Sequence, residues 1–138
     1  MATYNLFISH AWRYSDQYNT VVQWLDVAQE FGLFDWKNYS VPEHDPLLDP
    51  NSNFGKRKLQ GEIDQQLRPA SIVIIIAGMY AAHSDWIQFE ILKAVNMGKY
   101  IIGLKPWGNI RMPNIVQENA NMIVSWNSRS LYEAILSR

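Results

Sequence analysis

The sequence predicts an α/β fold, a doubly wound sheet of five parallel strands in the order 2-1-3-4-5, with helices on both faces. Three observations carry that expectation. Ile72-Val73-Ile74-Ile75-Ile76 is a β-branched run with no polar side, as a parallel strand covered on both faces requires. Helical stripes of apolar residues alternate with short strand-like segments along the whole chain, in the pattern βαβαβαβ(α)βα. Such alternation makes a parallel sheet with crossover helices. The 138 residues, 48% of them hydrophobic, suit one domain over 1–138 with a single core.

Taken in order, Tyr4 to Ser9 (YNLFIS) reads as the first strand, and His10 to Arg13 as the loop after it. Ser15 caps a helix whose apolar positions are Tyr18, Val21, Val22, Leu25 and Ala28, and Gly32 ends it. Leu33 to Tyr39 (LFDWKNY) is a second strand, polar enough for a sheet edge. Ser40 to Gly55 carries Pro42, Pro46, Pro50, Asn51, Asn53 and Gly55. Long ordered loops of this kind in compact domains are usually functional. Lys56 to Leu67 is a helix with Leu59, Ile63 and Leu67 at every fourth place, stopping before Arg68-Pro69. Ile72 to Ile76 is the third strand and Gly78 to His83 a loop. Ser84 caps the next helix, with Asp85 favourable in its first turn. Its buried stripe is Ile87, Ile91, Ala94 and Val95, and Gly98 closes it. Tyr100 to Leu104 (YIIGL) is the fourth strand, Lys105 to Pro113 a loop, Ile115 to Ala120 a helical turn, and Met122 to Val124 the last strand. Ser128 or Ser130 caps a final helix with Leu131, Ala134 and Ile135 inward. Five strands in this alternation are flavodoxin-like. In such sheets ligands bind beyond the carboxyl ends of the strands, near the reversal of strand order.

Composition narrows the function classes. A formal charge of -1 gives no electrostatic case for nucleic acid or an anionic membrane. No apolar run is long enough to span a bilayer, and MATYNLFISH enters a strand directly, so no signal peptide is expected. The absence of cysteine removes disulfides, a thiolate nucleophile and Cys-based metal sites, and it fits a cytoplasmic location. His44-Asp45 lacks HxxxH or HExxH spacing around it, so no metal is expected. The GxSxG elbow, GxGxxG and the Walker A pattern are absent, and Ser9-His10 adjacency does not make a catalytic pair. A phosphoacceptor receiver of the same fold needs acids where this chain has Ser9-His10 and Ala77-Gly78-Met79.

What gathers at the carboxyl edge is more informative. Ser9, His10 and Trp12 follow the first strand. Trp36 and Tyr39 lie on the second, which leads to Glu43, His44 and Asp45. Met79, Tyr80 and His83 follow the third, then Trp86 and Glu90 on the helix; Trp107 follows the fourth strand and Trp126 the fifth. Five of the six Trp and all three His therefore fall at this edge, and Trp24 alone is mid-helix. Flat aromatic faces suit a planar heteroaromatic ligand; loops packing over a sheet give the same pattern. Trp86 and Glu90 are four apart and share a helix face. Glu90 lies at the margin of the buried stripe, which makes it the candidate for chemistry. The simpler alternative is a solvated Glu90 paired with Lys93.

The blocks NLFISHAWRYSDQY, SVPEHDP, AGMYAAHSDWIQFEI, GKYIIGLKPWG and VSWNSRS, in this order and spacing, resemble the Toll/interleukin-1 receptor-like (TIR-like) proteins of the Thoeris anti-phage defence system, the ThsB type. The resemblance runs from about Tyr4 to Ile135. It implies one TIR-like domain and an activity: TIR enzymes split the bond between nicotinamide and ribose in NAD, and many carry W-x-x-x-E on the helix after the third strand. Here that motif is Trp86-Ile87-Gln88-Phe89-Glu90. By this resemblance Glu90 is catalytic, Trp86 shapes the pocket, and Ser9, His10, Trp12, Asp45 and Trp107 complete the substrate-binding set. NAD is then a substrate, with no resident cofactor. The resemblance further implies a cyclic ADP-ribose isomer as messenger, a separate effector that it activates, a phage-derived trigger, and self-association on activation. Two other readings stay open: a non-catalytic TIR-type interaction module, and a nucleoside deoxyribosyltransferase-like enzyme.

Overall fold

A computed structural model of the chain describes residues 2–9, 15–40, 53–76, 84–105 and 113–138, without the side chains of residues 15, 53–59 and 84–87. The elements are β1 (Thr3–Ile8), α1 (Ser15–Glu30), β2 (Asp35–Asn38), α2 (Asn53–Leu67), β3 (Ile72–Ile76), α3 (Ser84–Asn96), β4 (Tyr100–Leu104), α4 (Asn114–Asn119), β5 (Met122–Val124) and α5 (Ser128–Leu136). All strand pairs are parallel and the sheet order is β2-β1-β3-β4-β5. This is the predicted flavodoxin-like arrangement. It follows from what each strand can bury. β3 is the most apolar strand and is buried along its whole length, so it takes the centre. β2 (Asp35-Trp36-Lys37-Asn38) is half-buried to exposed and takes an edge.

Two helical layers cover the sheet. α1 packs on α5 at one face, whereas α2, α3 and α4 are neighbours in sequence on the other. An aromatic chain marks the first face: Tyr4 of β1 meets Phe34 edge-on at 5.5 Å, and Phe34 meets Tyr132 of α5 at 6.0 Å. Side chains alternate along a strand. Tyr4, Leu6 and Ile8 therefore face α1 and α5, while Phe7 and Ser9 face the α3 side. That alternation is what later brings Ser9 to Glu90.

Helix ends follow the predicted glycine signals. Gly32 and Gly98 both have positive φ, 75° and 69°. The amides of Leu33 and Lys99 reach back to the carbonyls of Ala28 and Ala94, each at 2.9 Å. Both ends are thus Schellman closures, in which a left-handed residue satisfies the last carbonyls.

Several boundaries differ from expectation. α2 starts at Asn53, so Gly55 lies inside its first turn; a glycine there costs about 1 kcal/mol relative to alanine, which the rest of the helix outweighs. β2 is shorter than Leu33–Tyr39: Leu33 is exposed and Phe34 turns into the core before pairing starts. α5 is capped by Asn127, whose side chain accepts from the Ser130 amide at 2.7 Å, so neither Ser128 nor Ser130 is the cap. Val95 is 43% exposed. The inward stripe of α3 runs through Glu90, Ile91 and Ala94 to half-buried Met97, and Val95 is turned about 100° past it. Among the described residues no helix is long and apolar enough to cross a membrane.

Candidate active site

Glu90 is 5% exposed and Ser9 1%, the two buried polar residues among those described. They come together for local reasons. Ser9 is the first residue past β1, and its amide still donates to the Ile74 carbonyl at 2.8 Å, so it continues the β1–β3 ladder. Its side chain points to the α3 face. Glu90 occupies the sheet-facing stripe of α3 beside Ile91 and Ala94, deeper than the margin predicted for it. The pair flanks the boundary between β1 and β3. This is where the chain stops adding strands on one side and starts on the other, the place where doubly wound sheets bind ligands.

Burial pushes the Glu90 carboxyl up to about 8, and the nearby Ser9 hydroxyl draws it partly back. Desolvation dominates because the charged form loses water without gaining a counter-ion. Lys93 pairs with Asp64 of α2 at 3.4 Å, not with Glu90, and among the described residues the Glu90 carboxyl has no ion pair. Close as they are, the two groups stop short of a hydrogen bond: among the described residues neither Ser9 Oγ nor Glu90 Oε2 has a partner of hydrogen-bond geometry. A buried polar atom left unsatisfied costs roughly 1–3 kcal/mol, and native proteins carry few of them. Two side by side can exchange hydrogen bonds with a polar ligand. At neutral pH the resting carboxyl is protonated; a cationic ligand beside it favours its ionised form.

The strand ends around this pair are fastened by side chains. Tyr39 donates its amide to Leu6 at 2.8 Å, and the Ile8 amide then donates to Ser40 Oγ at 3.0 Å. The Ser40 amide donates to Asn38 Oδ1, and Asn38 Nδ2 to the Tyr18 hydroxyl of α1. Sequence reasoning placed Ser40 in a loop and missed it. No periodicity signals a serine that completes a strand ladder.

Of the other predicted site residues, His10, Trp12, Asp45 and Trp107 lie outside the described residues, and Trp86 lies on α3 with its side chain outside them. The aromatic edge is partly accounted for by packing. Trp126 packs against Trp24 of α1 with tilted rings, centroids 5.0 Å apart, and Trp36 donates its indole N–H to Asp26 at 3.1 Å. Among the described residues no cluster of three or more His, Cys, Asp or Glu is placed to hold a metal ion. An open groove of about 440 Å³ runs along β5 and α5 between Lys105 and Glu133, at the sheet edge beyond β4; it is lined by neither Ser9 nor Glu90.

Comparison with known proteins bears on fold and family. The sequence pattern of one family, described as Thoeris protein ThsB, TIR-like domain, matches residues 7–111, more than half of the chain. No curated protein sequence matches. Among solved structures the chain is similar to a type II dehydroquinase from Propionibacterium acnes. The TM-score is 0.53 at 11% identity, over 99% of this chain and 96% of the other. At that identity the likeness speaks for the fold alone.

Proposed function

We propose that this chain, which belongs to the Thoeris ThsB family of TIR-like domains, cleaves NAD at the bond between nicotinamide and ribose, with Glu90 as the catalytic carboxyl. One observation carries this reading: a buried carboxyl with no hydrogen-bond partner at Oε2 among the described residues, beside Ser9, at the strand-order reversal. The resemblance to TIR enzymes supports this reaction class, since Glu90 closes the W-x-x-x-E arrangement that begins at Trp86.

The chemistry suits one carboxylate. NAD presents a pyridinium cation, which favours the ionised form of Glu90 on arrival. The C1′–N bond breaks with its electron pair going to nicotinamide, which departs neutral and needs no acid. The ribosyl carbon left behind resembles an oxocarbenium ion, as in glycoside cleavage. Glu90 accepts hydrogen bonds from ribose hydroxyls and stabilises that positive charge; each ~1.4 kcal/mol gained there is tenfold in rate. Attack by an adenine nitrogen closes a cyclic ADP-ribose isomer, whereas attack by water gives linear ADP-ribose. The outcome depends on excluding water and folding the adenine back, the work assigned to Trp12, Trp86 and Trp107. Ser9, His10 and Asp45 complete the pocket. The messenger activates a separate effector in the same cytoplasm. A phage-derived trigger and self-association switch the enzyme on.

The test uses phage-challenged cells carrying wild type or Glu90→Gln, with extracts read by mass spectrometry. Wild type is expected to produce nicotinamide and a cyclic ADP-ribose isomer, and Glu90→Gln neither. The same product from both variants assigns the chemistry to another carboxylate. No product from folded wild type under challenge makes the chain an interaction module, and transfer between deoxynucleosides in place of NAD cleavage makes it a deoxyribosyltransferase-like enzyme.

A further inference from the structure

The end of β1 is pinned on both sides by unlike bonds. Toward β3, the Ser9 amide donates to a main-chain carbonyl, that of Ile74. Toward β2, a regular parallel ladder that has just paired the Tyr39 amide with the Leu6 carbonyl continues by pairing the Ile8 amide with the Tyr39 carbonyl. That rung is not formed. The Ile8 amide goes to the Ser40 hydroxyl instead, at 3.0 Å. A side chain has taken a main-chain place, immediately before the residue whose hydroxyl faces Glu90.

From this geometry we infer that Ser40 is a positioning residue: its Oγ fixes the Phe7–Ile8 peptide and, through Ile8, helps aim the Ser9 side chain at Glu90. Ile8 is fully buried, so its amide has no solvent to turn to when Ser40 Oγ is removed. The Phe7–Ile8 peptide then rotates toward another acceptor, and the turn passes through Ile8 to the Ser9 Cα–Cβ direction, while the Ile8–Ser9 peptide keeps its own bond to the Ile74 carbonyl. Ser40 is held in turn: its amide is tied to Asn38 Oδ1 at 2.9 Å, and Asn38 Nδ2 to the Tyr18 hydroxyl at 3.0 Å. The aim of Ser9 is thus set from α1 through β2. This role serves the NAD-cleaving reading of the site and rests on it for its functional meaning, but its structural content is measurable without NAD.

The experiment follows two signals by NMR in the full chain: exchange of the Ile8 amide and the titration midpoint of the Glu90 carboxyl. Ser40→Ala is expected to speed Ile8 exchange at least tenfold. It is also expected to raise the Glu90 midpoint, because the Ser9 hydroxyl that draws it down is no longer aimed there. Ser40→Thr keeps the oxygen and restores both. In a Ser9→Ala background Ser40→Ala leaves the midpoint where it is, since the effect passes through Ser9. Where Ser40→Ala does not fold, Ser40→Cys, with a weaker acceptor, is read the same way. Unchanged exchange overturns the inference. Faster exchange with an unmoved midpoint, or a shift that persists without Ser9, overturns it as well and leaves Ser40 a merely structural residue. Failure of NAD cleavage in wild type overturns the functional reading and touches none of these signals.

Discussion

Glu90 owes its unusual state to position and not to residue type. A glutamate on a helix normally meets water; this one takes an inward place in the stripe with Ile91 and Ala94. Its carboxyl titrates at about 8 against an ordinary value of 4.5, chiefly by desolvation. The linkage has a definite sign. Between pH 4.5 and 8 the folded chain holds a proton that the unfolded chain has lost, so stability falls as pH rises through that window, by about 1.4 kcal/mol per pH unit at most. Chemical denaturation of wild type across this range is expected to show the decline, and Glu90→Gln to lose it while gaining stability at pH 8. A decline of equal size in both assigns it to other groups. The sequence singled out this residue because it shares a helix face with Trp86 at a strand end. It did not reveal how deep Glu90 lies, because Lys93 at i+3 offers an equally good surface pair. Only the packing of α2 shows that Lys93 turns to Asp64.

Elements are decided by side chains that periodicity does not weigh. Gly103 sits in the middle of β4, where a glycine is otherwise unfavourable. A Cβ there lies 2.9 Å from Val116 Cγ1 of α4, so the missing side chain is what lets α4 lie flat on the strand. Gly103→Ala is expected to destabilise by roughly 1–3 kcal/mol, the usual cost of overpacking, seen as a lower urea midpoint with unchanged m-value. An unchanged midpoint means that α4 shifts without cost. Asn121 works on the other side of β4: its amide donates to the Ile101 carbonyl and its side chain accepts from the Ile101 amide, each at 2.8 Å. Like Ser40, it substitutes for a strand residue. Boundaries were misread by a few residues for the same reason. Asn127 outcompetes the serines as a cap, and Phe34 leaves the strand for the core. The sequence puts Trp126 on the aromatic edge, yet it packs on Trp24. An aromatic residue after a strand looks alike in both roles until its neighbour across the face is known.

At the scale of the whole molecule the topology was fully legible. Burial of β3 on both faces and strict alternation of strands and helices leave few arrangements that avoid left-handed crossovers, and the observed order is the one expected. That order puts a reversal between β1 and β3, and so it names the elements that meet there: the end of β1, with Ser9, and the helix after β3, with Glu90. The site is therefore a consequence of topology plus one misplaced carboxyl. Its remaining predicted members, His10, Trp12, Asp45 and Trp107, fall outside the described residues. The most direct measurement is the NMR titration of the Glu90 carboxyl in the full-length chain, alone and with saturating NAD. With NAD seated against Glu90, the midpoint starts near 8 and falls on binding, as the pyridinium cation stabilises the carboxylate. A midpoint near 4.5 in the free chain, or one that NAD leaves unmoved while bound, contradicts the placement of NAD at this carboxyl.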